Sequence, residues 1–256
     1  MDVFALLIIV QILLESLPVS STGHLLLLSK FLCKSSIEFF ECIKPFYYLA
    51  HGVTFIVILV FFYSFWLDIV RLIWRKKNIL VQPVKFFFVI ELVTLIGWFS
   101  LSRYISHIPL YIGFCLTSLI LFTLYFVPHE AETRNSWNLR DALYIGITQM
   151  AAFIPGVSRL GATFVSARLC HISPYNAFAI SFIASLPLDG AGVVLGLWQL
   201  NNNEAKLFLS TYYVQIFLAA LGSYFLLYFV EVLIRRDRLW WLGWYMLLPM
   251  MIALFV

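Results

Sequence analysis

Two short polar runs carry most of the side chains with reactive potential in this 256-residue chain. In the first, Gln11 and Glu15 stand four residues apart, so a helix puts both on one face. Pro18 ends that helix, because proline lacks the backbone donor and clashes with the preceding turn. Ser20, Ser21 and Thr22 follow, then Gly23 and His24. Hydroxyls at a helix start, beside a glycine that admits close approach, suit backbone N–H groups to an anion. The second run holds Ser158 and Arg159 among Gly156, Gly161 and Thr163. A guanidinium keeps its charge and meets phosphate oxygens with two parallel donors. Gln11 and Glu15 are hard oxygen ligands suited to Mg²⁺ or Ca²⁺, with water and substrate phosphate completing the shell. His24, a side chain with an ordinary pKa of about 6.5, suits general acid or base catalysis. Together these types predict a phosphate-handling site. Two plainer readings stand beside it: the hydroxyls only cap helices, and Glu15 is simply the ion partner of Arg159. No zinc-type Cys/His spacing and no GxxxxGK[ST] nucleotide loop occurs.

The elements that must position these residues are membrane helices. Hydrophobic residues make up 62% of the chain and charged ones 12%, with a mean hydropathy of +0.94. That is about half the charge of a soluble domain, which excludes a single soluble core. The basic residues sit in clusters between apolar blocks, so the net charge of +4 marks topology and not nucleic acid. The start Met1-Asp2-Val3 lacks a basic run, and no cleaved signal peptide is expected. Cys33 and Cys42 share a polar loop, the one place where the spacing leaves a disulfide open.

Spanning the hydrocarbon core takes about 20 residues of helix. Six segments come close: Phe46–Trp66, Lys85–Leu101, Leu110–Val127, Tyr175–Leu200, Tyr212–Ile234 and Leu239–Val256. Three of their linkers are basic, through Arg71, Arg75, Lys76 and Lys77, through Arg134 and Arg140, and through Arg235, Arg236 and Arg238. The alternate linkers hold little beyond Lys34, Lys44, Arg103 and Lys206, which orients residues 33–45, 102–109 and 201–206 to the outside. Val3–Leu14 and Ala142–Ile154 are too short to span and run into the two polar turns. Each reads as half of a re-entrant hairpin with its turn at membrane depth, against the plainer reading of surface loops between short helices.

The halves also match. Each is one broken hairpin followed by three spans, and the turns share V-S-(S/R)-x-G around Val19–Gly23 and Val157–Gly161. The expectation is one all-α polytopic membrane domain, residues 1–256, with six transmembrane helices and two re-entrant helical hairpins. The repeats cover about 1–127 and about 142–256 in inverted topology, meeting near the midplane. Gly192 and Gly196 form a GxxxG that serves either internal packing or a homodimer seam. Ionisable groups at membrane depth default to function, and here they are Glu15, His24, His51, Glu91, Arg159 and Asp189.

The segments Glu15–His24 (ESLPVSSTGH) and Gly146–Thr163 (GITQMAAFIPGVSRLGAT) closely resemble the two signature motifs of bacterial undecaprenyl-diphosphate phosphatases, the bacitracin-resistance family. Trp137, Asp141, Ala142, His51, Trp244 and Tyr245 are similar to the family as well, so the likeness covers nearly the whole chain. The resemblance implies metal-assisted hydrolysis of undecaprenyl diphosphate to the monophosphate, which recycles the lipid carrier of peptidoglycan synthesis and confers bacitracin resistance. It implies a bacterial inner-membrane location and a polyprenyl diphosphate partner among membrane lipids. It also implies roles: Glu15 the essential acid, Gln11 the first position of an (E/Q)xxxE pattern, Ser21 and Thr22 the hydroxyl pair, His24 the catalytic histidine, and Ser158 and Arg159 the phosphate-binding pair. Attack by Ser21 or by an activated water stays open. Leu160 stands where the family has a serine, Gln11 where glutamate is commoner, and Asp189 and Glu91 lie off the pattern. Two rival functions remain. Broken helices in inverted repeats are also a transporter architecture, so a polyprenyl-phosphate flippase is the alternative. An acid-phosphatase site would need a histidine nearer to Arg159 than His171, and a following aspartate.

Overall fold

The computed structural model describes residues 3–32, 36–67, 71, 81–105, 107–127, 133 and 138–255. Cys33, Lys34, Arg75, Lys76, Lys77, Arg134 and Trp137 lie outside the described residues, and with Cys33 the disulfide expectation.

The first hairpin follows the proline signal. Helix α1 (Val3–Leu14) stops just before Glu15, and α2 (Ser21–Leu32) begins after Pro18. Between them Ser20 takes a φ of 63°, the left-handed region that a side chain adopts at a cost of about 1–3 kcal/mol. In the second hairpin, α6 (Leu139–Gln149) continues as a 3₁₀ turn (Met150–Phe153), and α7 (Arg159–Leu169) follows. Asn138 caps α6 by accepting from the Asp141 backbone N at 3.0 Å, while the Asp141 carboxylate accepts from the Asn138 N at 3.1 Å. Ser158 caps α7, its Oγ accepting from Gly161 N at 3.1 Å.

Each hairpin is followed by three longer elements. The first half adds α3 (Ser36–Phe61), α4 (Val81–Ile105) and α5 (Leu110–Phe122), the last extended by a 3₁₀ turn (Thr123–Phe126). The second half adds α8 (Pro174–Gln199), α9 (Asn202–Arg235) and α10 (Trp241–Leu254). No strand occurs among the described residues. Among the described residues four helices are long and apolar enough to cross a membrane: Lys44–Phe61, Pro83–Leu101, Pro174–Gln199 and Asn203–Arg235. Leu110–Phe126 and Trp241–Leu254 are apolar but shorter, and α5 packs against α10. The chain is an all-helical polytopic membrane protein.

Its burial is the reverse of a soluble bundle's. Phe88, Phe99, Trp198, Phe217 and Phe225 point outward, while Gln11, Thr54, Gln149, Ser185 and Asp189 are buried. Apolar side chains facing outward suit lipid, and polar ones are gathered inward, where they satisfy one another. The pair at the centre is α3 against α8. The GxxxG of α8 serves this contact: a Cβ on Gly196 would stand 2.8 Å from the Pro45 carbonyl oxygen, and one on Gly192 3.2 Å from the His51 ring. That motif therefore works inside the chain. Around the centre, α1 packs on α9 and α6 on α4. A hydrogen bond between the Ser16 and Ser223 hydroxyls ties the first turn to α9.

Candidate active site

The two polar turns touch. A Cβ on Gly23 would stand 2.8 Å from Gly156 Cα, so the backbones meet there with no room for a methyl group. Gly156 has a φ of +93°, which glycine adopts freely. Helix α5 stitches the junction: Ser158 N donates to Thr117 Oγ1 at 2.9 Å, and that hydroxyl donates to the Gly156 carbonyl at 2.9 Å. The chain thus starts two helices, at Ser21 and Arg159, beside one another. Helix starts carry free N–H groups and partial positive charge, so the junction favours an anion.

Beside it lies a buried cluster of charge drawn from four helices. Gln11 Nε2 donates to Glu15 Oε2 at 2.8 Å, as the four-residue spacing predicts, and Thr54 Oγ1 donates to the same oxygen at 3.4 Å. His51 Nδ1 stands 2.7 Å from Glu15 Oε1 and 3.6 Å from Asp189 Oδ1. Asp189 is fully buried on α8; it accepts from Arg159 Nη2 at 2.8 Å and from Ser185 Oγ at 3.0 Å. The sequence left Glu15 as the plain ion partner of Arg159; that hydrogen-bonded partner is Asp189. Tyr47 closes the cluster, its ring edge-on to His51 at 4.8 Å and its hydroxyl 2.8 Å from Thr22 Oγ1.

Glu15, His51 and Asp189 each offer a ligand atom, and these atoms all lie within 4.8 Å of one another. Gln11 Oε1 is buried and has no hydrogen-bond partner. An orphaned buried acceptor next to two carboxylates and an imidazole fits a cation, which would repay its desolvation. Gln11 and Glu15, the ligands expected from the sequence, are thus joined by His51 and Asp189 in the candidate set.

The other expected site residues are distributed around the junction. His24 is buried on α2 with both ring nitrogens engaged. Nδ1 lies 2.8 Å from the Ser20 carbonyl and must donate to it, which leaves Nε2 to accept from the Tyr245 hydroxyl at 3.0 Å. The Tyr245 ring stacks on His24 with centroids 5.7 Å apart, and Phe114 meets it edge-on. These partners separate His24 from the Glu15 cluster's own hydrogen bonds. Ser20 Oγ accepts from Gly23 N at 3.3 Å, and Ser21, half-buried, begins α2. Ser158 Oγ is committed to Gly161 N, and Thr163 Oγ1 donates to the Arg159 carbonyl at 2.9 Å. Those two hydroxyls hold the second turn in shape. Asp189 was legible only as an ionisable group within an apolar span, and His51 also as a residue similar to the family; neither signal says which partner is met.

A family model described as Bacitracin resistance protein BacA matches residues 4–252. The chain belongs to this family. It is 30% identical to the undecaprenyl-diphosphatase of Carboxydothermus hydrogenoformans over 93% of this chain and 90% of the relative. It is 32% identical to the undecaprenyl-diphosphatase of Thermotoga maritima, with 94% of each chain covered. Undecaprenyl-diphosphatase 1 of Bacillus cereus is 26% identical over 85% of this chain and 82% of the relative. The match spans both hairpins and every helix that lines the cluster.

Proposed function

We propose that this protein hydrolyses undecaprenyl diphosphate to undecaprenyl phosphate and inorganic phosphate in the bacterial cell membrane, recycling the lipid carrier of cell-wall synthesis. The relatives' shared activity supports the reading, and one observation carries it: Arg159, at the start of α7, is held by a buried carboxylate within reach of Glu15, His51 and the start of α2. A protein that only held a lipid in place would have no use for this density of ionisable groups in an apolar bundle.

In this reading the diphosphate sits over the hairpin junction, with the prenyl chain in lipid. Arg159 and the N–H groups at the starts of α2 and α7 hold the terminal phosphoryl group and offset the charge that grows on its oxygens. Water attacks that phosphorus; the bridging P–O bond breaks, the polyprenyl phosphate leaves, and Glu15 takes the water's proton. We infer water as the attacking group, with the half-buried Ser21 hydroxyl at the start of α2 the alternative nucleophile. With its Nδ1 proton held by the Ser20 carbonyl, His24 takes a second proton at Nε2, the nitrogen that meets Tyr245, and passes it to the leaving phosphate. Gln11, Glu15, His51 and Asp189 would hold a divalent cation, which supplies charge stabilisation to the phosphate oxygens. Mg²⁺ is the first candidate, since it binds through one or two carboxylates plus substrate phosphate, whereas Ca²⁺ takes six to eight oxygens.

We also propose that the halves form an inverted repeat about an axis through α3 and α8, with the hairpin tips near the midplane. In support, exchanging the halves maps α1 on α9 to α6 on α4, and leaves α3 on α8 and α5 on α10 as they are. The test of function is phosphate release from a polyprenyl diphosphate in detergent, with and without a chelator, for the parent and Arg159→Ala. Release that needs the arginine and the cation supports hydrolysis. No release from folded parent protein, with lipid still moved between leaflets, supports the flippase instead.

A further inference from the structure

A second polar site lies on α4 and α6, outside the cluster of Glu15, His51 and Asp189. Gln149 is 1% exposed, and neither its amide nitrogen nor its amide oxygen has a hydrogen-bond partner. Glu91 Oε1 is also without one. The Gln149 side chain interacts with the Glu91 carboxylate without meeting it at full hydrogen-bond geometry, and that carboxylate lies within the field of Arg159 and Asp189. A buried amide whose oxygen is unmet and whose nitrogen is only loosely met costs about 1–3 kcal/mol. Such a group stays only where something else completes it.

The repeat makes the arrangement more telling. Gln11 and Gln149 each precede a hairpin proline by one and a half to two helical turns. In the first hairpin the carboxylate partner, Glu15, comes from the same helix. In the second, residue 153 is Phe153, and the carboxylate is brought by α4 instead. The chain therefore has two carboxamide–carboxylate pairs, with Arg159 in reach of both carboxylates' fields.

We propose that Glu91, Gln149 and Arg159 form a binding station for inorganic phosphate in its protonated form, where the cleaved phosphoryl group rests before it leaves. The unmet groups have the right signs. The Gln149 amide N–H and the guanidinium N–H groups not given to Asp189 are donors for phosphate oxygens. Glu91 Oε1 and Gln149 Oε1 are acceptors, which an unprotonated anion cannot use but a P–O–H group can. Monohydrogen phosphate carries that donor and sulfate does not. Arg159 is 24% exposed and Glu91 half-buried, so the station is not sealed. Arg159 then serves both stages, holding the phosphoryl group during attack and handing it toward Glu91 afterward. The proposal rests on the hydrolytic reading, since only a phosphate-releasing site needs such a station.

The experiment measures binding of inorganic phosphate and of sulfate to the full chain by phosphorus NMR line broadening and competition. It compares the parent, Glu91→Gln and Gln149→Leu, each first shown to be folded by its thermal midpoint in detergent. The parent should bind phosphate about tenfold or more tighter than sulfate, the worth of one charge-assisted hydrogen bond. Glu91→Gln should bring the two anions to within about threefold of each other, because a glutamine also donates to sulfate. Gln149→Leu should weaken phosphate by about tenfold. Equal binding of both anions by the parent, or an unchanged preference in Glu91→Gln, overturns the proposal. Turnover of polyprenyl diphosphate is measured in parallel. Failure of hydrolysis in the parent with the phosphate preference intact sinks the proposed function alone, and absence of the preference in a parent that turns over sinks the station alone.

Discussion

Arg159 Nη2 donates to Asp189 Oδ1 across 2.8 Å, and Asp189 is fully buried on a helix that carries Pro187 in its interior. The pair joins the second hairpin to the central α3–α8 contact and fixes where the guanidinium points. Removing one member leaves the other charged and unmatched in an apolar bundle, which costs about 3–5 kcal/mol. Asp189→Ala should therefore lower the thermal midpoint more than any surface change. Asp189→Asn keeps the shape and a hydrogen bond, so its fold should survive while hydrolysis falls by about 100-fold or more. Arg159→Lys should not restore activity, since an ammonium cannot grip two oxygens in parallel. Near-parental turnover in both Asp189→Asn and Arg159→Lys would remove this pair from the site.

Gly23→Ala tests the meeting of the hairpins. The new methyl group would fall 2.8 Å from Gly156 Cα and 2.8 Å from the Phe114 ring. Backbone cannot give way cheaply there, so a loss of about 1–3 kcal/mol is expected, with turnover reduced at least tenfold. Gly190→Ala is the control, because its Cβ would meet only Phe55 at 3.8 Å. A thermal scan of both variants against the parent decides it: equal midpoints would mean the turns do not abut.

Removing divalent cations should abolish hydrolysis in the parent, and adding Mg²⁺ should restore it. His51→Gln should shift the Mg²⁺ requirement upward, because it takes one ligand from a set that includes Glu15 and Asp189. A shift of about 10- to 100-fold in the cation concentration for half activity is the expected size. Full activity in chelator would end the metal assignment for this cluster.

His24 and Tyr245 form the other pair to separate. His24→Ala should cost about 10²- to 10⁴-fold in turnover if its Nε2 moves a proton. Tyr245→Phe leaves the stacked ring in place and deletes only the hydroxyl that meets Nε2. Its expected effect is a loss below about tenfold, with a displaced pH–rate profile. An unchanged profile in Tyr245→Phe together with mild loss in His24→Ala would reduce His24 to a brace for the Ser20 turn.

Much of the architecture was legible because the membrane imposes strong rules on short stretches of chain. Runs of apolar residues had to be helices, Pro18 and Pro155 had to interrupt them, and polar residues next to those breaks had to find partners in the interior. Helices α1 and α6 end close to where the apolar runs do, and the Gln11–Glu15 bond follows from a four-residue spacing. Capping was legible as an alternative for the first-turn hydroxyls, where Ser20 Oγ accepts from Gly23 N, and Ser158 caps α7 in the same way.

What spans the sequence was not. Asp189 and Glu91 both read as off-pattern, Glu91 with a hydrogen bond inside the bundle, since nothing near Asp189 in the sequence names Arg159 or His51 as its partner. His51 sits 36 residues from Glu15 and 138 from Asp189, and only the packing of α3 on α8 brings the three together. The sequence by itself determined the helices, their breaks and the family to which the chemistry belongs, because those depend on local rules and short motifs. The tertiary structure alone decided that Asp189 and not Glu15 bonds Arg159, that Gly23 meets Gly156, and that Gln149 faces Glu91. Those are choices among many buried polar groups of equal appeal, and only the angles at which the helices pack select among them.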